Sequence, residues 1–353
     1  MKRRKTRQIS IGNVKIGGSA PISVQSMTNT DTRDYLSTIS QIHRLESVGC
    51  EIIRVAVPDM EAAEKLGEIK KGISIPLIAD IHFDYRLALR AVEEGVDGLR
   101  INPGNIGGKV KIKSVVEAAK ERKIPIRIGV NSGSIEKKLL SKYGHPTPDA
   151  MVESALSNIA ILESLNFHDI KVSLKASNVL DTIEAYRLIS EKVDYPLHVG
   201  ITEAGTSFSG TIKSSVGIGI LLNEGIGDTI RVSLTADPVE EVRAGYEILK
   251  ALGLRYRGIN LISCPTCGRC EIDLIELTNE VEVRLAHISV PLNVAIMGCV
   301  VNGPGEAEEA EIGIAGGKGV GLLFKKGRVV KKLKEKELAD VLVKEVEEMV
   351  KDL

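Results

Sequence analysis

Residues 98–131 read GLRINPGNIGGKVKIKSVVEAAKERKIPIRIGVN. Gly98–Asn102 and Ile126–Val130 are short apolar runs rich in β-branched residues. Between them, Lys113–Glu121 carries apolar residues at helical spacing. A strand, a helix and a second strand within about 30 residues form a βαβ unit, which pairs its strands in parallel. Both strands also contain an arginine, Arg100 and Arg127.

The same texture extends in both directions. Strand-like runs recur at Ile22–Met27, Ile52–Val57, Pro76–Ile81, Ile170–Leu174, Pro196–Ile201 and Thr229–Leu234. Helical spacing appears at Thr38–Val48, Met60–Ile69, Arg86–Glu94, Asp149–Leu165, Val179–Lys192 and Glu240–Leu252. Eight such runs over roughly 250 residues predict a (β/α)8 TIM barrel. A doubly wound open sheet is the runner-up. No Gly-x-Gly-x-x-Gly opens a helix after a strand with an acidic partner downstream, and no Walker A pattern occurs, so neither nucleotide fingerprint is present.

From about Gly258 the pattern changes. A cysteine-rich loop leads into a helical stretch at Glu271–His287 and a strand at Leu292–Ile296. A Gly-rich segment, a hairpin around Lys326–Gly327 and an amphipathic helix over Glu337–Leu353 follow. We therefore expect two domains: a barrel over 1–257 and a small α/β domain over 258–353.

Composition narrows the function. The 353 residues include 47 Lys and Arg against 47 Asp and Glu, and aromatics make up 3% with no Trp. A net charge of zero argues against duplex nucleic acid, and scarce aromatics argue against base stacking on single strands. No run approaches the ~18 apolar residues of a membrane helix. The basic start at Met1–Arg7 leads into mixed residues rather than an apolar h-region. A cytoplasmic protein that neither spans membranes nor binds nucleic acid is expected.

The barrel strands carry an unusual load. Arg54, Arg100, Arg127, Lys175 and Arg231 lie inside predicted strands, each with a small or polar residue two positions away, such as Gly129, Ser173 or Ser233. Such strands are covered on both faces, and alternate residues face the same way. If that face is the lumen, five cations converge at the C-terminal mouth, where such barrels bind substrates. The bland alternative is a set of separate ion pairs with Asp80, Asp84 and Glu203. Those few acids cannot neutralise all five, so the lumen calls for a small polyanion carrying more than one phosphate. His82 and His198 are expected to be hydrogen-bonded lumen residues rather than metal ligands.

Cys264, Cys267 and Cys270 form Cys-x2-Cys-x2-Cys, and Cys299 follows. This spacing suits zinc or an iron–sulfur cluster and does not separate the two. Cys299 opens a glycine-rich loop, Gly298-Cys-Val-Val-Asn302-Gly-Pro-Gly-Glu306, with a carboxylate at its end. A carboxylate beside thiolate-held iron would be a labile ligand that a substrate oxygen could displace.

These two motifs resemble the 4-hydroxy-3-methylbut-2-enyl diphosphate synthases of the non-mevalonate isoprenoid pathway, in their short two-domain form. Arg100–Asn105, Arg127–Ser134 and Gly200–Gly205 fit the same family, so the resemblance covers essentially the whole chain. It implies an oxidoreductase that opens the ring of 2-C-methyl-D-erythritol 2,4-cyclodiphosphate with two electrons and loss of water. It also implies a 4Fe–4S cluster on Cys264, Cys267, Cys299 and Glu306, leaving Cys270 without a role. Asn302 matches a position that approaches substrate at the cluster. Arg54, Arg100, Arg127, Asn131, Lys175, Thr202, Arg231 and Ser233 match positions that hold the cyclodiphosphate, with Glu203 as a proton donor. A flavodoxin or ferredoxin supplies the electrons.

The final barrel helix should carry the chain away from the mouth, so a homodimer in which each cluster domain caps the other subunit's barrel is expected. The competing reading is a non-redox barrel enzyme acting on a phosphorylated or pterin-like substrate, with a structural zinc in the small domain.

Overall fold

The computed structural model describes residues 2–299 and 307–351, and the chain divides into two compact units, Met1–Arg255 and Tyr256–Leu353. In the first unit, all eight expected strand runs form strands: β3 (Ser23–Met27), β4 (Ile52–Ala56), β5 (Leu77–Asp80), β6 (Gly98–Ile101), β7 (Ile126–Asn131), β8 (Ile170–Lys175), β9 (His198–Val199) and β10 (Thr229–Ile230). They are parallel neighbours in the order β8-β7-β6-β5-β4-β3-β10-β9. A parallel bridge between Val172 and Leu197 joins the two ends, with the Val172 N–H donating to Pro196 O at 2.9 Å, so the sheet closes into a barrel.

The helices start where side chains can hold their first turns. Asp34, Asp59, Asp84, Thr147, Asn178 and Asp237 each accept a backbone N–H as N-caps. Their apolar faces pack on the outward faces of the strands, as Leu45, Leu66, Val116 and Leu162 do around Ile53, Ala79, Leu99 and Val172.

Several elements differ from the sequence reading. The expected helix Met60–Ile69 is two segments, Met60–Glu64 and Leu66–Lys71, because Lys65 bonds back to Ala62 in a tightened turn. β9 and β10 pair over two residues each rather than six; beyond them the chain runs on as loop. Helix Ser207–Asn223 is absent from the periodic segments because Gly210, Gly217 and Gly219 blunt its apolar stripe.

A plug at the barrel's N-terminal face also escapes the sequence reading. Strands β1 (Ile9–Ile11) and β2 (Val14–Ile16) form a hairpin whose Ile9, Ile11 and Ile16 pack on Ile52 and Ile78 at the strand starts. The basic N-terminal segment serves this plug. Arg3 pairs with Asp228 at 3.1 Å, Arg4 donates to the carbonyls of Ser190, Val193 and Tyr195, and Arg7 pairs with Asp194 at 2.8 Å. Arg255, which ends the unit, donates to Ile22 O and to Glu51, both just before strands, so the chain leaves the barrel at this same face.

The second unit is a five-stranded sheet in the order β11 (Ile259–Ser263), β12 (Leu292–Met297), β13 (Ile312–Gly317), β14 (Val320–Lys325) and β15 (Arg328–Lys334). The first three strands are parallel and the last two antiparallel. Helices Leu274–Leu285 and Leu338–Lys351 bury Val281, Leu285, Leu342 and Val346 against Val294, Ile296, Ile312 and Ile314. β11 is absent from the sequence reading: its five residues, INLIS, are half-buried or exposed and carry only a weak apolar pattern beside the cysteines.

Ile16 is fully buried in the plug. Ile16→Ala should lower barrel stability by about 2–5 kcal/mol, read as a shifted denaturant midpoint. An unchanged midpoint would show that the barrel core does not depend on the hairpin.

Candidate active site

Strand parity sets the site. On the lumen side β4 presents Arg54, β5 Asp80, β6 Arg100, β7 Arg127 and Asn131, and β8 Ser173 and Lys175. The loops beyond the strand ends add His82, Thr202, Arg231 and Ser233. All eleven line one cavity of about 210 Å³. The five cations singled out from the sequence are therefore brought together, along with Asn131, Thr202 and Ser233.

Glycine makes room for them. A Cβ at Gly129 would lie 2.5 Å from Arg100 Nε. One at Gly200 would lie 2.3 Å from Arg231 O and 2.7 Å from Lys175 Nζ.

Two carboxylates answer part of the charge. Asp80 takes Arg100 Nη1 at 3.1 Å and Arg54 Nε at 3.5 Å. Glu241, on helix Pro238–Ala251, takes Arg231 through both oxygens at 3.2 Å and also accepts from Ser26 and the Leu234 N–H. Among the described residues, Arg127 and Lys175 have no carboxylate within ion-pair distance, and Arg127 Nε and Nη1 have no hydrogen-bond partner. Beneath them Lys171, 1% exposed, also leaves its Nζ without a partner. Separate ion pairs thus account for three of the cations and leave a surplus of buried positive charge.

The electrostatics follow from that surplus. Burial, reinforced by Arg231 and Arg100 against Asp80, lowers Arg54 to about 10. Burial followed by Arg54 and Arg100 pushes Arg127 well down. For Asp80, burial alone would raise the carboxyl, but Arg54, the His82 hydrogen bond, Arg100 and Arg127 together hold it well below the usual range. His198 is fully buried and kept neutral by burial and then by Lys175. Its Nε2 lies 3.3 Å from Lys175 Nζ, and its Nδ1 faces Thr229 Oγ1. His82, which contacts Arg100 at 3.2 Å, and His198 are hydrogen-bonded lumen residues. A preorganised cationic cavity of this kind suits a small polyanion, with guanidinium forks matched to phosphate oxygens.

Glu203 lies elsewhere. It is exposed, with a left-handed φ of 51°, and does not line the cavity. Lys171 and Glu241 are missing from the sequence reading, although both had a signal. Lys171 shares strand parity with Ser173 and Lys175, and Glu241 stands on the apolar face of its helix with Gly245 and Ile248.

Around the mouth, Leu36, Met60, Phe83, Val110, Leu180 and Phe208 are all exposed. Each lies at or just before the start of a helix that follows a barrel strand, so together they form an apolar rim.

In the second unit, Cys264 directly follows β11, and Cys299 lies two residues past β12, the adjacent strand. The Gly298 N–H donates to Cys264 Sγ at 3.3 Å. Cys267 is exposed, and its thiol is lowered by a hydrogen bond from the Arg269 backbone and by the Arg269 side chain. Cys270 instead donates to Ile272 O at 3.3 Å and packs against Gly298. Cys50 is buried in the barrel core, where burial raises its thiol to about 12. Asn302 and Glu306 lie outside the described residues. Among those described, no three Cys, His, Asp or Glu stand gathered as a metal site. The donor set nonetheless fits a cluster, because soft thiols from one loop and the next strand's end lie at the same edge of the sheet. The larger hollow on helix Leu274–Leu285 is one open helix face without convergent groups.

Lys171 gives a pH prediction. Burial, then Arg127 and Arg54, lower its pKa well below the ordinary 10.5, while Asp228 opposes weakly. The folded state therefore binds fewer protons than the unfolded chain, so this group's contribution to stability rises with pH up to that ordinary value and falls on acidification. Lys171→Met should stabilise the ligand-free protein by about 1–3 kcal/mol at neutral pH and flatten that pH dependence in thermal unfolding. Lower stability in the variant would show that Lys171 is satisfied in solution.

Comparison with known proteins places the chain. Residues 6–246 match the GcpE TIM-barrel domain and residues 260–348 the GcpE protein C-terminal domain. A protein of Geobacter sulfurreducens named 4-hydroxy-3-methylbut-2-en-1-yl diphosphate synthase (flavodoxin) is 66% identical, over 98% of each chain. One of the same name from Symbiobacterium thermophilum is 64% identical, over 100% of this chain and 95% of the relative. Among solved structures, dihydropteroate synthase of Stenotrophomonas maltophilia aligns with a TM-score of 0.51 and 11% identity, over 70% of this chain and 97% of its own, a likeness of fold alone. With both domain models matched in order and relatives alike along their whole length, the chain belongs to the GcpE family, whose members compared here carry the name 4-hydroxy-3-methylbut-2-en-1-yl diphosphate synthase.

Proposed function

We propose that this protein catalyses the two-electron reductive ring opening and dehydration of 2-C-methyl-D-erythritol 2,4-cyclodiphosphate to 4-hydroxy-3-methylbut-2-enyl diphosphate, in the non-mevalonate isoprenoid pathway. Counted on the neutral acids, two electrons and two protons enter, a ring C–O bond to phosphate breaks, and one water leaves. The observation that carries this reading, beside family membership, is the convergence of five cations on one lumen cavity. A cyclic diphosphate supplies the charge that Asp80 and Glu241 leave unanswered. The alternative with a non-redox reaction and a structural zinc gains no support from the relatives' names.

The barrel residues act by binding and orientation. Arg54, Arg100, Arg127, Lys175 and Arg231 hold the diphosphate oxygens, and Asn131, Thr202 and Ser233 donate or accept at the rim of the same cavity. The Asp80 and Glu241 carboxylates fix Arg54, Arg100 and Arg231, so the guanidinium groups are placed before substrate arrives. His198, kept neutral, holds Lys175 in position.

Cys264, Cys267, Cys299 and Glu306 would hold a 4Fe–4S cluster, which when bound supplies the electrons for the reaction. Asn302 would approach the substrate there. Glu203 remains a candidate proton donor, one that must act from outside the cavity described above. A flavodoxin, or a ferredoxin, serves as donor.

We further propose a cytoplasmic homodimer in which the cluster domain of one chain caps the barrel of the other. Two observations support this: Arg255 leaves the barrel at the face opposite the cavity, and the apolar rim around the mouth suits a protein cover. The barrel would then be the diphosphate-binding domain and the remainder the cluster domain.

Each charge-assisted contact to phosphate is worth about 1.5–3 kcal/mol. Arg100→Ala, Arg127→Ala and Arg231→Ala should each weaken cyclodiphosphate binding about tenfold or more by calorimetry while iron content stays constant. Affinity that survives all three single replacements would remove these residues from the site.

The ligand set and the dimer are tested together. Glu306→Ala should keep most iron and lose most turnover, whereas Cys264→Ser, Cys267→Ser or Cys299→Ser should damage the cluster and Cys270→Ser should do neither. Mixed Glu306→Ala and Arg127→Ala subunits should regain partial activity. Verified heterodimers without activity would place the site within one chain.

A further inference from the structure

The sheet of the second unit ends in β15, whose outer edge pairs with nothing among the described residues. Six of its seven residues are exposed, and only Leu333 is buried. On and beside this strand, Lys326, Arg328, Lys331, Lys332, Lys334 and Lys336 form no ion pair among the described residues. The one acid within this run is Glu335. The whole chain is electrically neutral, so the surplus is local.

A lysine-rich edge can simply discourage edge-to-edge aggregation. That role does not explain Val329 and Val330, 54% and 57% exposed, the second and third residues of the same strand, at its bulge opposite Leu323 and Phe324 and flanked by Arg328 and Lys331. An apolar centre within a cationic surround is the composition of a docking patch for an acidic protein.

The patch also lies at a useful place in the unit. β11, β12 and β13 run parallel and end on the cysteine side, β14 begins there and β15 returns there. Lys334 is the register partner of Val320, two residues past Lys318. The Lys318 N–H donates at 2.8 Å to Glu271, the residue after Cys270. From β12 to β15 is three strand spacings, or about 14 Å at ~4.8 Å each.

We propose that the exposed basic edge formed by β15 is the docking surface for an acidic electron-carrier protein of the flavodoxin type. This rests on the functional reading above, in which electrons enter at the cysteine end. Each encounter oxidises the carrier by one electron, so two encounters supply the two that the ring opening consumes. Long-range attraction to the lysine row speeds encounter, and Val329 and Val330 give the contact its dry centre.

The test uses anaerobically reconstituted holoenzyme and a purified acidic flavodoxin. Wild-type binding, measured by calorimetry, should weaken steeply between low and high salt. Lys331→Glu/Lys332→Glu should raise the Kd, and the KM for flavodoxin, at least tenfold, while turnover driven by reduced methyl viologen stays unchanged. Arg122→Glu/Lys123→Glu, at the far end of a barrel helix and away from the mouth, should change neither. Unchanged flavodoxin Kd and KM in the β15 variant overturn the proposal, as does an equal loss in the barrel variant. A wild-type holoenzyme with no viologen-driven turnover of cyclodiphosphate would instead overturn the functional reading itself.

Discussion

The structure depends on buried positive charge that the protein itself does not neutralise. Arg54, Arg100, Arg127, Lys171, Lys175 and Arg231 converge on one lumen, answered only by Asp80 within it and by Glu241 reaching in from the helix Pro238–Ala251. Left in a low-dielectric interior, such groups destabilise the fold. Only a closed, rigid scaffold can hold them in register, and the eight-stranded barrel provides it. Its outer core of Ile, Val, Leu and Ala is continuous, and the isoleucine plug closes its lower end. Stability is thus supplied at the outer face and the bottom, and the lumen carries the unanswered charge.

This arrangement divides the work between the two units. In the proposed function the barrel's part is to bind and orient a polyanion through groups fixed by Asp80 and Glu241. The second unit has few buried charges. It presents thiols at the ends of neighbouring strands, where backbone N–H groups such as that of Gly298 can stabilise sulfur charge. Cys270 belongs to the packing of that unit through Ile272 and Gly298. That gives the third cysteine of the loop a structural role outside the proposed ligand set.

Much of this was legible in the sequence because a strand's side-chain period is two. A cation in a strand with a small or polar residue two positions away marks a lumen face, and so Arg54, Arg100, Arg127, Lys175 and Arg231 group together on the sequence alone. Glu241 shows itself only as an acid on the apolar face of its helix; its partner, ten residues distant and outside that helix, is not given by local periodicity. Lys171 obeys the same parity as Lys175 but stands at the start of the strand, between Ile170 and Val172. The β1–β2 plug is two three-residue strands, too short for any periodic signal. Glu203 shows the converse limit: its place in a motif indicates chemistry, whereas its exposed left-handed backbone depends on a loop that parity does not govern.

The most direct measurement is electron stoichiometry. Holoenzyme, reduced methyl viologen and cyclodiphosphate are mixed anaerobically, and viologen oxidation is followed beside substrate loss. Two viologen radicals oxidised for each cyclodiphosphate consumed, with no oxidation when the substrate is omitted, is the expected result. Consumption of the cyclodiphosphate without viologen oxidation, or oxidation at the same rate without it, would contradict a reductive opening in this cationic barrel.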